Sequence, residues 1–281
     1  LEPAVNGGTQ VHARQLPDPE PRGFTRYVAI GDSFTEGMAD TTPGPNNSYV
    51  GWADRLAAHL AGISRPNAPR FRYANLAVRG RLLADIAGPQ VERALALAPD
   101  LVSIVGGGND ILRPRADIDA LGARLEDAVA RLRAGGAGVL LATPTDPRDA
   151  PLLKASRGRA ATYTAHIWSI ARRHDAYVID LWGMDALRDW RLWAPDRIHL
   201  TSEGHRRVSM NALNALGYPA PEADWAEPLP PGAPVSRADA ARANTRWARE
   251  YLFPWLQRRL RGQSSGDAIS AKRPALTPIE G

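Results

Sequence analysis

The 281-residue chain contains no cysteine, so disulfides and thiolate metal sites are excluded and the redox compartment is left open. It has no apolar run approaching the roughly 18 residues that a membrane span requires. No signal-peptide pattern stands at its start, where residues 1–24 are polar, carry four prolines and read as a flexible leader. A cytoplasmic location is therefore expected, an expectation that a cleaved signal peptide would overturn. No His-Glu-x-x-His pair, phosphate-binding Gly-Lys-Ser/Thr loop or dinucleotide fingerprint occurs, and no 20–50-residue repeat is present. Lysine is also scarce. Nearly all of the 35 basic residues are arginine, and from Ser236 onward nine basic residues face only four acids. That segment holds the whole +5 net charge, so the remainder is neutral and offers no basic stripe of the kind nucleic acid binding needs.

What is present is an alternation of short apolar runs and amphipathic stretches. Strands are expected at 26–31, 71–77, 100–105, 137–143 and 176–181. Helices are expected at 48–62 with Ser48 as N-cap, 82–97 kinked or divided at Gly88-Pro89, 117–134, 162–174 and 203–216. Strands alternating with helices at this spacing predict a parallel sheet covered on both faces, with the strand-end loops gathered at one edge. The predicted domain runs over 25–218, followed by a Pro-rich connector at 219–235. A basic amphipathic helix at 236–261, interrupted by Pro254, and a disordered tail at 262–281 complete the chain. Trp247, Tyr251 and Trp255 recur on that helix at a spacing that packs against a core; docking on a partner or a membrane surface is the alternative.

Chemistry concentrates at the strand ends. The first strand runs directly into Gly31-Asp32-Ser33-Phe34-Thr35-Glu36-Gly37, which places Ser33 at the carboxyl edge of the sheet, where open α/β folds keep their ligands. A serine nucleophile needs an imidazole base, a carboxylate to orient it and donors for an oxyanion. Asp196 and His199 lie three residues apart before the last helix, a spacing at which the carboxylate reaches Nδ1 and leaves Nε2 facing outward. Backbone N–H groups of Ser33 and Gly80 and the side-chain amide of Asn109 can supply the donors, from three separate turns. Ser33 lacks the Gly-x-Ser-x-Gly context of an α/β-hydrolase elbow. Taken singly, Ser33, Asn109 and Asp110 also suit turn or cap positions, and His59, His166, His174 and His205 suit structural roles.

These blocks, with Gly107-Gly108-Asn109-Asp110 and Asp196-Arg197-Ile198-His199, resemble those of the SGNH/GDSL esterase–lipase superfamily in order, over residues 26–217. The resemblance implies a three-layer α/β/α sandwich with a five-stranded parallel, flavodoxin-like sheet. It implies Ser33 as nucleophile, His199 as base, Asp196 as orienter, and an oxyanion hole of Ser33, Gly80 and Asn109. Asp32, Gly107 and Asp110 support the turns, and no metal or organic cofactor is implied. The expected activity is hydrolysis of carboxylic esters, short-chain or O-acetyl, with a lipid or carbohydrate alcohol. Acyl transfer, thioester or lysophospholipid cleavage on the same site, or a non-catalytic binding role, are the alternatives. Around Gly80 the sequence departs from the family's small residues: Arg79 and Arg81 face either an anionic or sugar substrate or the solvent. Trp52, Trp182, Trp190 and Trp193 are candidates to wall a pocket.

Overall fold

Along each central strand the buried side chains divide between two cores. In the computed structural model, which describes residues 23–42, 48–63, 69–150, 153–232, 236–254, 266 and 268–279, the strands are β1 (Arg26–Gly31), β2 (Arg72–Asn75), β3 (Leu101–Val105), β4 (Gly138–Ala142), β5 (Tyr177–Ile179) and β6 (Arg273–Pro278). The helices are α1 (Ser33–Glu36), α2 (Trp52–Ile63), α3 (Leu83–Asp85), α4 (Val91–Ala96), α5 (Gly108–Ile111), α6 (Ile118–Ala134), α7 (Arg157–His174), α8 (Ser202–Ala215) and α9 (Arg237–Trp247). Val28, Ile30, Val102, Ile104, Val139 and Leu141 point into a core closed by α3, α4, α6 and α7. Their sequence neighbours Tyr27, Ala29, Leu101 and Leu140 point the other way, against α2 and α8. The period-2 geometry of a strand thus turns continuous apolar runs into the middle layer of a sandwich.

The sheet order is β5-β4-β3-β1-β2-β6. The first five strands pair in parallel in the flavodoxin-like order, and the crevice at the β1/β3 switch point is where ligands bind in such sheets. The expectation of five strands is corrected by β6, which pairs antiparallel with β2. It lies inside the tail read as disordered. It carries Pro274 and Pro278, which an edge strand tolerates because one row of its backbone groups needs no partner.

Two helices also differ from expectation. Ser48 is not a cap: α2 begins at Trp52, and the Asp54 carboxylate accepts from the Gly51 N–H at 2.9 Å. Gly88-Pro89 does not break the next helix but widens it into a π-turn, Ile86–Gln90, between α3 and α4. Residues 1–22 and 255–265 lie outside the described residues, so most of the leader, Trp255 and the end of the basic helix go without description. Phe24, at the leader's end, is buried in the second core. Among the described residues no helix is long and apolar enough to cross a membrane.

Candidate active site

Ser33 is the first residue of α1, set there by the abrupt end of β1. The Asp32 carboxylate caps the turn, accepting from the Phe34 N–H at 3.0 Å, and Gly37 ends it with φ +89°. A side chain at Gly37 would lie 2.5 Å from the Gly51 backbone, so this close crossing of two turns requires glycine. Gln90, which sequence reasoning missed, fixes the strand end: its amide accepts from the Gly31 N–H at 2.8 Å and donates to the Gly31 carbonyl at 2.9 Å. The π-turn carries it into reach, and no local signal in the sequence marks it.

The His199 Nε2 lies 2.9 Å from the Ser33 hydroxyl, and its Nδ1 lies 2.6 Å from Asp196 Oδ2. The other Asp196 oxygen accepts from the N–H groups of Ile198 and His199 at 2.9 and 3.0 Å. Burial pushes the Asp196 carboxyl up, but the hydrogen bonds and charge of His199 outweigh it and leave the group below the usual carboxylate range. The turn itself is closed from outside. The Ala194 N–H donates to the His199 carbonyl at 2.8 Å, the Thr201 N–H donates to the Leu192 carbonyl at 2.9 Å, and Arg197 takes a left-handed φ of +57°. The Trp247 indole of α9 donates to the Asp196 carbonyl at 2.7 Å. So the basic helix touches this turn through Trp247, while most of α9 is exposed.

The other two turns meet the first through polar ties. Asn109 Nδ2 donates to Asp32 Oδ2 at 3.3 Å and to the Arg81 carbonyl at 3.1 Å, joining all three. Gly80 follows β2 with φ +74°. The preceding Arg79 N–H donates to a Glu36 oxygen at 2.8 Å, and the Arg79 guanidinium pairs with the same carboxylate while lying over the Tyr49 ring. Arg79 is thus engaged by a buried glutamate of α1 and is no free cation for a substrate. Gly107 has φ +98°, and a side chain there would lie 2.8 Å from the Tyr163 ring. Asp110 accepts from the Leu83 N–H at 2.9 Å. Burial pushes both the Asp32 and Asp110 carboxyls up, Asp32 to about 6.

Beside the serine and histidine turns opens a cavity of about 220 Å³, lined by their residues Asp32, Phe34 and Ile198 and by Leu153, Leu187 and Trp193. Trp190 and Trp193 wall it; Trp52 is in the core, and Trp182 lies beneath the Arg157 guanidinium. Of the other histidines, His166 and His174 pair with Asp119 and Glu126 between α6 and α7. His205 is buried behind the site, where its Nδ1 accepts from the Trp52 N–H at 3.3 Å.

Burial lowers the His205 pKa from 6.5 to about 4, against the opposing charge of Asp40. Between those values the unfolded chain binds a proton that the fold refuses, so this group's contribution is full above pH 6.5 and is lost on acidification towards 4. Asp32 works with the opposite sign, favouring the fold below about 6. His205→Gln is therefore expected to lose less melting temperature than the wild type between pH 6.5 and 4.5. Scanning calorimetry at several pH values checks this; parallel curves for the two proteins would show that His205 is not the titrating group.

A model of the GDSL-like lipase/acylhydrolase family matches residues 29–207, a span that holds Ser33, Gly80, Asn109, Asp196 and His199. No curated protein matches the chain. Among solved structures, a variant of Axe2, an acetyl xylan esterase from Geobacillus stearothermophilus, is 21% identical with a TM-score of 0.59, covering 72% of this chain and 100% of its own. LAE5, an alpha/beta hydrolase enzyme from the metagenome of Lake Arreo, is 26% identical with a TM-score of 0.57, covering 69% of this chain and 95% of its own. TesA, at 22% identity and a TM-score of 0.55, covers 68% and 97%. The likeness to Axe2 and TesA is one of fold. The match of the family model over most of the chain goes further: this protein belongs to the GDSL-like lipase/acylhydrolase family and is an enzyme of its ester-hydrolysing class.

Proposed function

We propose that this enzyme hydrolyses carboxylic esters of short acyl groups through an acyl-Ser33 intermediate. The observation that carries the reading is the unbroken relay from the Ser33 hydroxyl through both nitrogens of His199 to Asp196, at 2.9 and 2.6 Å. Ser33 Oγ attacks the carbonyl carbon while its proton passes to His199 Nε2. Asp196, ionised in its net of donors, holds the imidazole in the tautomer that can accept. The tetrahedral oxyanion is received by the N–H groups of Ser33 and Gly80 and by the Asn109 amide, which exchanges its long 3.3 Å bond to Asp32 for the oxyanion. The C–O bond then breaks, His199 returns its proton to the leaving alcohol, and a water deprotonated by His199 releases the acid and restores the serine.

The acetyl xylan ester named for Axe2 supports an O-acetyl substrate on a carbohydrate alcohol. The largely apolar cavity beside Ser33 supports accommodation of a compact organic group on one side of the ester. Incubation with a fluorophosphonate tests the intermediate: mass spectrometry should find one phosphonyl group on Ser33, and a folded protein that stays unlabelled would overturn the mechanism. Asn109→Ala is expected to lower kcat by about 10²–10³ with KM little changed, because its donor strengthens only as charge develops on the oxygen. Steady-state kinetics beside a melting curve separate that effect from unfolding.

A further inference from the structure

Five charged residues line the cavity beside Ser33: Asp32, Asp146, Asp149, Arg188 and Arg197. Four of them are satisfied within the protein. Asp32 accepts from Phe34 and Asn109. Asp146 takes both prongs of Arg157 at 2.7 and 3.0 Å. Asp149 lies 3.5 Å from Arg148, and Arg188 lies 2.9 Å from Asp185.

Arg197 differs. Its guanidinium carbon stands 5.6 Å from the Trp190 ring centre and 5.4 Å from that of Trp247, and one terminal N–H group donates to the Asn244 side-chain oxygen at 2.6 Å. Among the described residues no carboxylate pairs with it. Burial lowers its pKa from the ordinary arginine value, and no acidic neighbour offsets that cost. The cation is therefore kept beside the cavity by two neutral rings and a neutral amide, on a backbone with φ +57° that a non-glycine residue seldom adopts. An aspartate in place of Asn244 would have closed the charge internally. The chain leaves it open, with unused N–H donors in the planar fork that suits a carboxylate or phosphate.

We infer that Arg197, clasped between Trp190 and Trp247, is the receptor for an acidic group on the ester substrate, and that α9 completes this subsite. The inference rests on the esterase reading above and narrows its substrate class to esters bearing an anion. The Trp247 indole that flanks the guanidinium is the same one that donates to the Asp196 carbonyl at 2.7 Å. The anion site and the histidine turn thus share the Trp247 side chain.

Two matched pairs of esters test this: 4-acetoxybenzoate against its methyl ester, and mono-4-nitrophenyl succinate against its methyl ester. The first pair places the charge on the alcohol, the second on the acyl group. The readout is the ratio of kcat/KM for the acid to that for the neutral partner. In the wild type at least one pair should favour the acid, less so as salt rises, and the responding pair identifies which part of the ester fills the cavity. Arg197→Asn, a residue that tolerates the left-handed backbone, should lower that ratio about tenfold or more. Asn244→Asp, which leaves Arg197 in place and neutralises it, should do the same. Ratios near one in the wild type, or unchanged in both variants, would overturn the subsite. Loss of all turnover on neutral esters instead counts against the esterase reading. In that case tryptophan fluorescence of Ser33→Ala protein titrated with monoethyl succinate, with diethyl succinate as control, still decides. Binding of the monoester alone, weakened by either variant, upholds the subsite; equal or absent responses reject it.

Discussion

Replacement of Ser33 by alanine is expected to lower kcat on 4-nitrophenyl acetate by about 10⁵–10⁶, and replacement of His199 by alanine to do the same. The double variant should be no worse than either single one, because hydroxyl and imidazole act as one unit: without the base the serine is a poor nucleophile, and without the serine the base has no proton to take. Asp196→Ala should cost less, since the imidazole remains but its tautomer is no longer fixed. An acetate-to-palmitate series run on the wild type and Ser33→Ala in parallel provides the measurement. Residual turnover in Ser33→Ala within a hundredfold of the wild type would falsify the proposed nucleophile. Silence of the wild type across the series, with the fold intact, would move the reading to acyl transfer or binding.

The second large effect lies at the other end of the helix that begins with Ser33. Lys272, just before β6, donates to the Glu36 carbonyl at 2.6 Å, the Tyr49 carbonyl at 2.8 Å and Asp54 Oδ2 at 2.6 Å. Both charged side chains are largely buried, Lys272 at 10% and Asp54 at 18% exposure. Lys272→Met keeps the aliphatic stem but removes the countercharge of Asp54 and one donor from that carboxylate and from two carbonyls. Removing one partner of a buried pair costs about 3–5 kcal/mol, which for a chain of this size is a fall of roughly 10 °C in melting temperature. Adding Asp54→Asn should recover part of the loss, because the uncompensated charge goes with it. Calorimetry of the two single variants and the double one checks both statements; a shift under about 2 °C for Lys272→Met would mean that the site is wet enough to solvate the ions. The same variant should lower kcat, since the Glu36 carbonyl belongs to the helix that begins with Ser33.

The legible parts of this chain share a cause. Ser33, Gly80, Asn109 and the Asp196–His199 pair all sit where a strand or loop turns, and such turns restrict residue type locally enough to leave a readable pattern. The five parallel strands were legible because burial on both faces makes them continuous apolar runs. What escaped depends on contacts between distant residues. Nothing near Gln90 indicates that its amide will close on Gly31, 59 residues earlier. Glu36 and Arg79 look like two surface charges until the fold brings them together. β6 escaped for the opposite reason: its own residues argue against a strand, and only the unpaired edge of β2 and the anchorage of Lys272 decide the matter.

The Lys272 tie also bears on how the protein is made. The serine turn emerges early from the ribosome, but the ammonium that ties the Glu36 carbonyl to Asp54 is 236 residues downstream of that carbonyl. The edge of β2 stays unpaired over the same interval, during which the nascent chain presents an open row of N–H and C=O groups to its neighbours. Synthesis must therefore pass residue 278 before the Ser33 helix is locked and the sheet edge closed. Once residue 207 has cleared the ribosome and before β6 has, the whole GDSL-like region, residues 29–207, is displayed in a form that lacks its clasp.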